Sequence, residues 1–320
     1  MKLKKLIYGF LLILLIAISS CKAKTPLEAI ERGRLQDLKE FHQKGYKLNE
    51  KVNKKDNFLI YSIKKGYDDI AIWLINNKIN DINEPDCMEN TPIMLSYTNK
   101  RVDVFNTLLL KKKIKLNYSN FNGKNLISLV VENGDYKNFI RLIKKHKINI
   151  KFKVKDGLYE NYTIIQFAVS GGNLEIVKYL KDKMPRFWRK HKKNPNLMII
   201  AAEKGNIEMM TFLDSAGIKM DSENKDGWTT LMSAAKSGKL DAVMLILGYG
   251  ANVNARTTFN WTALMSAVMS KNIEIVKVLV EAGAKITAEN NDGKNSFEIA
   301  IDENNTEIAN YLKDKIEKTK

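Results

Sequence analysis

Apolar residues recur along the chain in one short pattern: Leu174, Val177 and Leu180; Ile207, Met210 and Leu213; Leu240, Val243 and Ile246; Ile273, Val276 and Leu279. Steps of three place each set on one face of a short amphipathic helix. Each set stands at +2, +5 and +8 from a position suited to a turn: Gly33, Gly66, Lys100, Gly134, Gly172, Gly205, Gly238, Lys271 and Asn304. Small or compact residues one turn before these positions, such as Ala201 and Ala202, Ala234 and Ala235, Ser62 and Ile63, and Val130 and Val131, predict a preceding helix that packs closely. Gly45, Gly217, Gly250 and Gly283 follow the second helix, where glycine accepts the left-handed conformation that ends it. Turn pairs come next at Asn122-Gly123, Asp156-Gly157, Asp226-Gly227 and Asp292-Gly293.

The turn positions are separated by 33, 34, 34, 38, 33, 33, 33 and 33 residues. A period near 33 means that each unit is one supersecondary element unable to bury its apolar face alone, so neighbours must stack. Function is then expected on an extended surface. A turn, a first helix, a second helix and a glycine exit, in the order DGWTTLMSAAKSGKLDAVMLIL-GYGANVN and again NWTALMSAVMSKNIEIVKVLVEAGAKI, closely resemble the ankyrin-repeat family. The resemblance implies an all-α solenoid of about nine helix-turn-helix units with hairpin-like loops over 25–316, and a role in binding protein partners. Two departures stand out. The family's Thr-Pro helix start survives only at Thr25-Pro26 and Thr91-Pro92, with a lone Thr at Thr163, Thr229 and Thr262. Its histidine is replaced by residues such as Met232 and Met265, so the hydrogen bonds between successive hairpins are in doubt and the first four units are expected to be looser than the last three.

The first 21 residues are a separate device. Lys2, Lys4 and Lys5 precede an apolar run from Leu6 to Ile18, too short for the ~20 residues of a spanning helix but suited to a secretory signal. Ile18-Ser19-Ser20-Cys21 resembles the bacterial lipobox, which implies a signal over 1–20, lipidation of Cys21 and an exported, membrane-anchored protein facing the periplasm or the outside. An ordinary signal peptide is the competing reading. Residues 21–24 form the tether, unless the degenerate first unit is unfolded and serves as one. Cys87 is the second of two cysteines, so no internal disulfide framework is expected. It is spare or available to another chain.

Charge is unevenly spread. The formal net charge is +17, yet residues 101–195 hold 22 Lys or Arg against 7 Asp or Glu, while residues 196–320 hold 14 against 17. That distribution tells against a nucleic-acid binder that uses the whole array. Lys111, Lys112, Lys113 and Lys115 fall at a helix end, where the dipole alone can account for cations. The segment from Pro185 to Lys193 reads instead as a basic loop in place of a hairpin, with Phe187 in its core and Trp188 free. An insertion at Leu158–Tyr162 lies one unit earlier, preceded by Lys153 and Lys155. Lys153, Lys155, Tyr159, Tyr162, Arg186, Trp188, Arg189 and Lys190 are therefore the expected partner-binding residues, aromatics beside Arg being enriched in binding hot spots. Trp228 and Trp261 read as packing between turns, and Trp73 as core.

Catalysis has no foothold. His42, His146 and His191 fall in different units without metal spacing or a nucleophile beside them, and no phosphate-cradling glycine loop occurs. No cofactor or metal is expected. The leading expectation is a lipid-anchored scaffold gripping a protein with an acidic surface. The alternative is a binder of an acidic polymer or anionic membrane surface.

Overall fold

The computed structural model describes residues 22–52, 56–148, 150, 154, 162–191 and 194–318, the side chains of Phe187, Lys190 and His191 excepted. These residues form helix pairs at the expected period. The pairs are α1 (Pro26–Glu31) with α2 (Leu35–Gln43), α3 (Phe58–Lys65) with α4 (Asp68–Asn76), α5 (Pro92–Thr98) with α6 (Val102–Leu109), and α7 (Leu126–Glu132) with α8 (Tyr136–Lys144). After α9 (Ile164–Ser170) and α10 (Leu174–Lys183) comes an additional helix, α11 (Pro185–His191). The series continues through α12 (Asn196–Lys204) and α13 (Ile207–Ser215), α14 (Thr230–Lys236) and α15 (Leu240–Gly248), α16 (Ala263–Met269) and α17 (Ile273–Glu281), then α18 (Ser296–Asp302) and α19 (Thr306–Glu317). Strand among the described residues is confined to β1 (Lys51–Val52) and β2 (Asp56–Asn57), antiparallel with Lys51 opposite Asn57.

Every one of the nine recurring turn positions has positive φ, between 55° and 82°. At some of these turns a neighbour also presses on the glycine, although Gly238 has open space around it. A Cβ on Gly66 would lie 2.6 Å from the Arg101 guanidinium, and one on Gly33 would lie 2.9 Å from the Tyr67 ring. Lys100, Lys271 and Asn304 accept the strain instead, with φ of 55–57°. Several first helices begin on side-chain caps: Thr25 Oγ1 accepts from Glu28 N–H at 3.1 Å, Asn57 Oδ1 from Ile60 N–H at 2.8 Å, and Thr262 Oγ1 from Met265 N–H at 3.3 Å. Such a cap stabilises a helix by about 1 kcal/mol.

The chain divides into two compact units. Among the described residues, one runs up to Leu129 and the other from Val130 onward. Phe58, Ile63, Leu74, Ile93 and Leu108 are wholly buried in the first. Phe139, Phe167, Leu180, Met210, Leu264 and Leu279 are wholly buried in the second. Each such side chain stabilises by about 1.5–3 kcal/mol through apolar burial. Ala201, Ala202, Ala234, Ala235 and Ala267 are also fully buried, the small faces that let first helices approach one another.

Three expectations meet the structure differently. The first unit is folded, not a tether: Ala23 N–H donates to Asp37 Oδ2 at 2.7 Å and Lys22 pairs with Glu40. Bonds between successive hairpins do form without histidine. Phe121 N–H donates to the Met88 carbonyl at 3.2 Å, Thr258 N–H to Asp226 at 2.9 Å, and Asn291 N–H to Phe259 at 3.1 Å, all backbone groups that require no particular side chain. Buried Met232 offers its sulfur to Thr229 N–H at 3.5 Å. Finally, Pro185–His191 is helical and not a loop. Proline fits a first helical position, where its missing N–H would have had no helical partner, and Trp188 N–H closes the first turn on the Met184 carbonyl at 2.9 Å.

Candidate functional site

The basic segment in the second unit is presented by α11. Trp188, expected to be free, is only 4% exposed and meets Phe212 of α13 edge-on at 6.5 Å between centroids. Lys181 of α10 places its Nζ 5.3 Å from the centre of the same Phe212 ring. An indole in water-filled space would forfeit this burial, so the helix turns Trp188 inward and Arg186 and Arg189 outward. Both arginines are exposed, as are Lys178 and Lys183 of α10. The exposure expected of Trp188 is therefore corrected: it holds the helix that carries the charge. The signal was present as the step of four from Met184 to Trp188 behind a helix-starting proline.

Of the other expected residues, Tyr162 is half-buried and meets Phe167 edge-on at 5.5 Å. Its carbonyl accepts from Val154 N–H at 3.0 Å. Lys153, Lys155, Tyr159 and Cys21 lie outside the described residues, as do the side chains of Phe187 and Lys190. Cys87 is exposed with a free thiol, on a turn beside Met88. Trp73 is half-buried, meeting His42 edge-on at 5.6 Å.

At three first helices a clasp joins the residue two positions before the helix to the residue eight positions on. Asp56 and Lys64 meet at 3.0 Å, and Lys64 also reaches the buried Asp86 at 3.1 Å. Lys294 and Asp302 meet at 2.7 Å. At Trp228 and Lys236 the pair is a cation over an indole, 5.4 Å from the ring centre. Trp261 instead donates from Nε1 to Ser266 Oγ at 2.9 Å. These bonds tie each tryptophan to its own first helix. The eight-residue offset is legible in the sequence once the units are aligned, but its pairing of unlike chemistries hides it.

Among the described residues the titratable groups form no assembled catalytic set. Burial, then Arg141 and Lys145, pushes His146 below its ordinary value, and its Nε2 has no hydrogen-bond partner among the described residues. An open cleft of about 650 Å³ in the second unit is lined by Pro195, Lys219, Asp221, Ser222, Glu223 and Asn252 among others, with no His or Cys. Among the described residues no group of His, Cys, Asp and Glu could hold a metal ion, and no helix is long and apolar enough to cross a membrane.

Stacked helix pairs, left-handed exits and hydrogen-bonded hairpin tips define a repeat scaffold whose surface carries the binding chemistry. The chain belongs to the ankyrin-repeat family: the family model described as ankyrin repeats (3 copies) matches residues 27–120, 197–290 and 255–320. Repeats of this kind support a protein-binding role. Alpha-latrotoxin-Lg1a of Latrodectus geometricus is 27% identical over 148 residues, which are 46% of this chain and 10% of the toxin. The chain thus matches about a tenth of that relative's length.

Proposed function

We propose that the chain is an exported bacterial lipoprotein whose ankyrin repeats grip a protein with an acidic surface. Support for the anchor is the lipobox-like Ile18-Ser19-Ser20-Cys21 behind a lysine-led apolar run. Cys21, once acylated, becomes the first residue, and a diacylglyceryl group supplies the two chains that stable anchoring requires. Support for the grip is α11. It holds Arg186 and Arg189 outward on a short helix pinned by the buried Trp188, so little backbone order has to be created on binding. Arginine there can form paired hydrogen bonds to carboxylates.

One experiment tests both halves. Envelope membranes are solubilised in detergent and partners captured on the full chain, on Arg186→Ala/Arg189→Ala, and on Cys21→Ala, with fatty-acid labelling read in parallel. Label is expected on the full chain and absent from Cys21→Ala; label persisting there defeats the anchor. A selective partner is expected to be lost from the double arginine variant. Retained capture removes α11 from the reading, and steep, unselective loss with salt or polyanions transfers it to an acidic polymer or anionic surface.

A further inference from the structure

In the N-terminal unit the turns that end three successive second helices lie side by side. Asn80 Nδ2 donates to the Leu48 carbonyl at 3.3 Å, joining the first turn to the second. Asn83 joins the second to the third twice, its Nδ2 donating to the Lys113 carbonyl at 3.0 Å and its Oδ1 accepting from Lys115 N–H at 2.7 Å. Lys111 Nζ adds a bond to Asn76 Oδ1 at 2.8 Å. The result is one continuous edge.

That edge carries Lys44, Lys47, Lys78, Lys112, Lys113 and Lys115, all exposed, and none of them pairs with a carboxylate among the described residues. The exposed carboxylates on it are Glu50 and Asp81, while Glu84 is paired with Lys51 at 3.2 Å. The helix dipole accounts for Lys44, itself a C-cap, and for Lys78, one residue past the cap Asn77, but not for the others. Its effect fades within the last turn, whereas Lys47 lies three residues past the cap Lys44, and Lys112, Lys113 and Lys115 lie two to five past the cap Leu110.

Apolar side chains stand among the lysines. Leu110 is 70% exposed and Tyr46 is 52% exposed. A protein interface draws on Arg and aromatics and is depleted in Lys. Lysines with flexible apolar stems, interspersed with exposed apolar tips, suit the boundary between headgroups and acyl chains. The start of the chain adds a second argument. Ala23 N–H is bound by Asp37 and Lys22 by Glu40, so the residues after Cys21 are fastened to α2. Four residues on from Glu40, about 6 Å along the helix axis, that same helix ends at Lys44.

We propose that this edge is a bilayer-contact face recognising anionic phospholipid headgroups. With the acyl chains on Cys21 it lays the first three repeats against the membrane and leaves the Arg186–Arg189 helix to the partner. The biological setting rests on the lipoprotein reading; the affinity of the edge for lipid does not. Lys112, Lys113 and Lys115 provide charge and Leu110 the apolar insertion.

The test uses the chain from Lys22 onward, which contains every described residue and no Cys21. It is sedimented with vesicles of phosphatidylglycerol and phosphatidylcholine, and with phosphatidylcholine alone. Binding is expected on the anionic vesicles only. Lys112→Gln/Lys113→Gln/Lys115→Gln should weaken it on the order of 100-fold, the product of three surface lysines each attracted to anionic lipid. Leu110→Ser should weaken vesicle binding several-fold and leave any binding of an oligonucleotide unchanged. Lys178→Gln/Lys183→Gln, in the other unit, should bind vesicles as before. The proposal is overturned by absence of binding to anionic vesicles, by a triple variant that binds like the parent, by a control pair that loses as much, or by a Leu110→Ser variant that changes nothing. Labelling of Cys21 in the full chain is read separately, so failure of the anchor and failure of this face give different results.

Discussion

Replacing Gly171 by alanine should destabilise the second unit, although its backbone needs no glycine. Its φ is −75° and ψ −8°, an ordinary helical exit from α9. The obstacle is another chain segment. A Cβ there would lie 2.4 Å from the Glu132 carbonyl oxygen and 2.6 Å from that of Val131, at the end of α7. Carbon atoms rest near 3.5 Å from such neighbours, so the end of α7 must retreat by roughly 1 Å. Both obstacles are backbone, and the Val131 carbonyl also accepts the Gly134 N–H at 3.0 Å, so the retreat strains the turn into α8. Overpacking of this kind costs about 1–3 kcal/mol, and the upper half of that range applies where no side chain can swing aside. Alanine regains about 0.5–1 kcal/mol by restricting the unfolded chain. The net expectation is a loss of about 1–2.5 kcal/mol. Gly248→Ala is the matched control: it is helical, nothing lies within 4 Å of its Cβ, and it should gain about 0.5–1 kcal/mol. Urea titration followed by amide exchange in α7 and α9 reads both, the exchange being needed because repeat arrays can open locally. If Gly171→Ala is stabilised like Gly248→Ala, the close approach of α9 to α7 is wrong.

Trp188→Ala should cost about 3–5 kcal/mol and release the amides of α11 to exchange, while Arg186→Ala/Arg189→Ala should stay within about 0.5 kcal/mol of the parent; equal effects in urea would return Trp188 to the solvent. His146 contributes a pH dependence of known sign. Its folded value lies below the ordinary 6.5 because of burial and the nearby cations, so the unfolded chain binds the extra proton first. Stability should be fully present above about pH 6.5, fall as pH drops below it, and stop falling once the folded histidine is itself protonated. The difference between the parent and His146→Gln in urea at pH 7.5 and 5 isolates this term from the carboxylates, and a parent that gains stability relative to the variant on acidification contradicts it.

Much of the architecture was legible because a repeat repeats its sterics. Glycine-like turns every 33 residues or so, three-step apolar faces and paired small residues each restate a local requirement, and all nine turn positions do have positive φ. What escaped was decided by neighbours distant in sequence. Pro185 marks a helix start locally, but nothing local shows which side of that helix is buried until Phe212 stands beside Trp188. The missing histidines suggested weak junctions, yet backbone amides at Phe121, Thr258 and Asn291 form the bonds with whatever side chains are present. The basic edge shows the same division. The sequence shows each lysine cluster by itself near a helix end, where it reads as a solvated terminus. Only stacking, with Asn80 and Asn83 stitching three turns together, puts those charges in one row beside Tyr46 and Leu110. Periodicity determines which elements form, because it is a property of successive residues; what their surfaces present together depends on which elements end up adjacent, and that belongs to the tertiary structure.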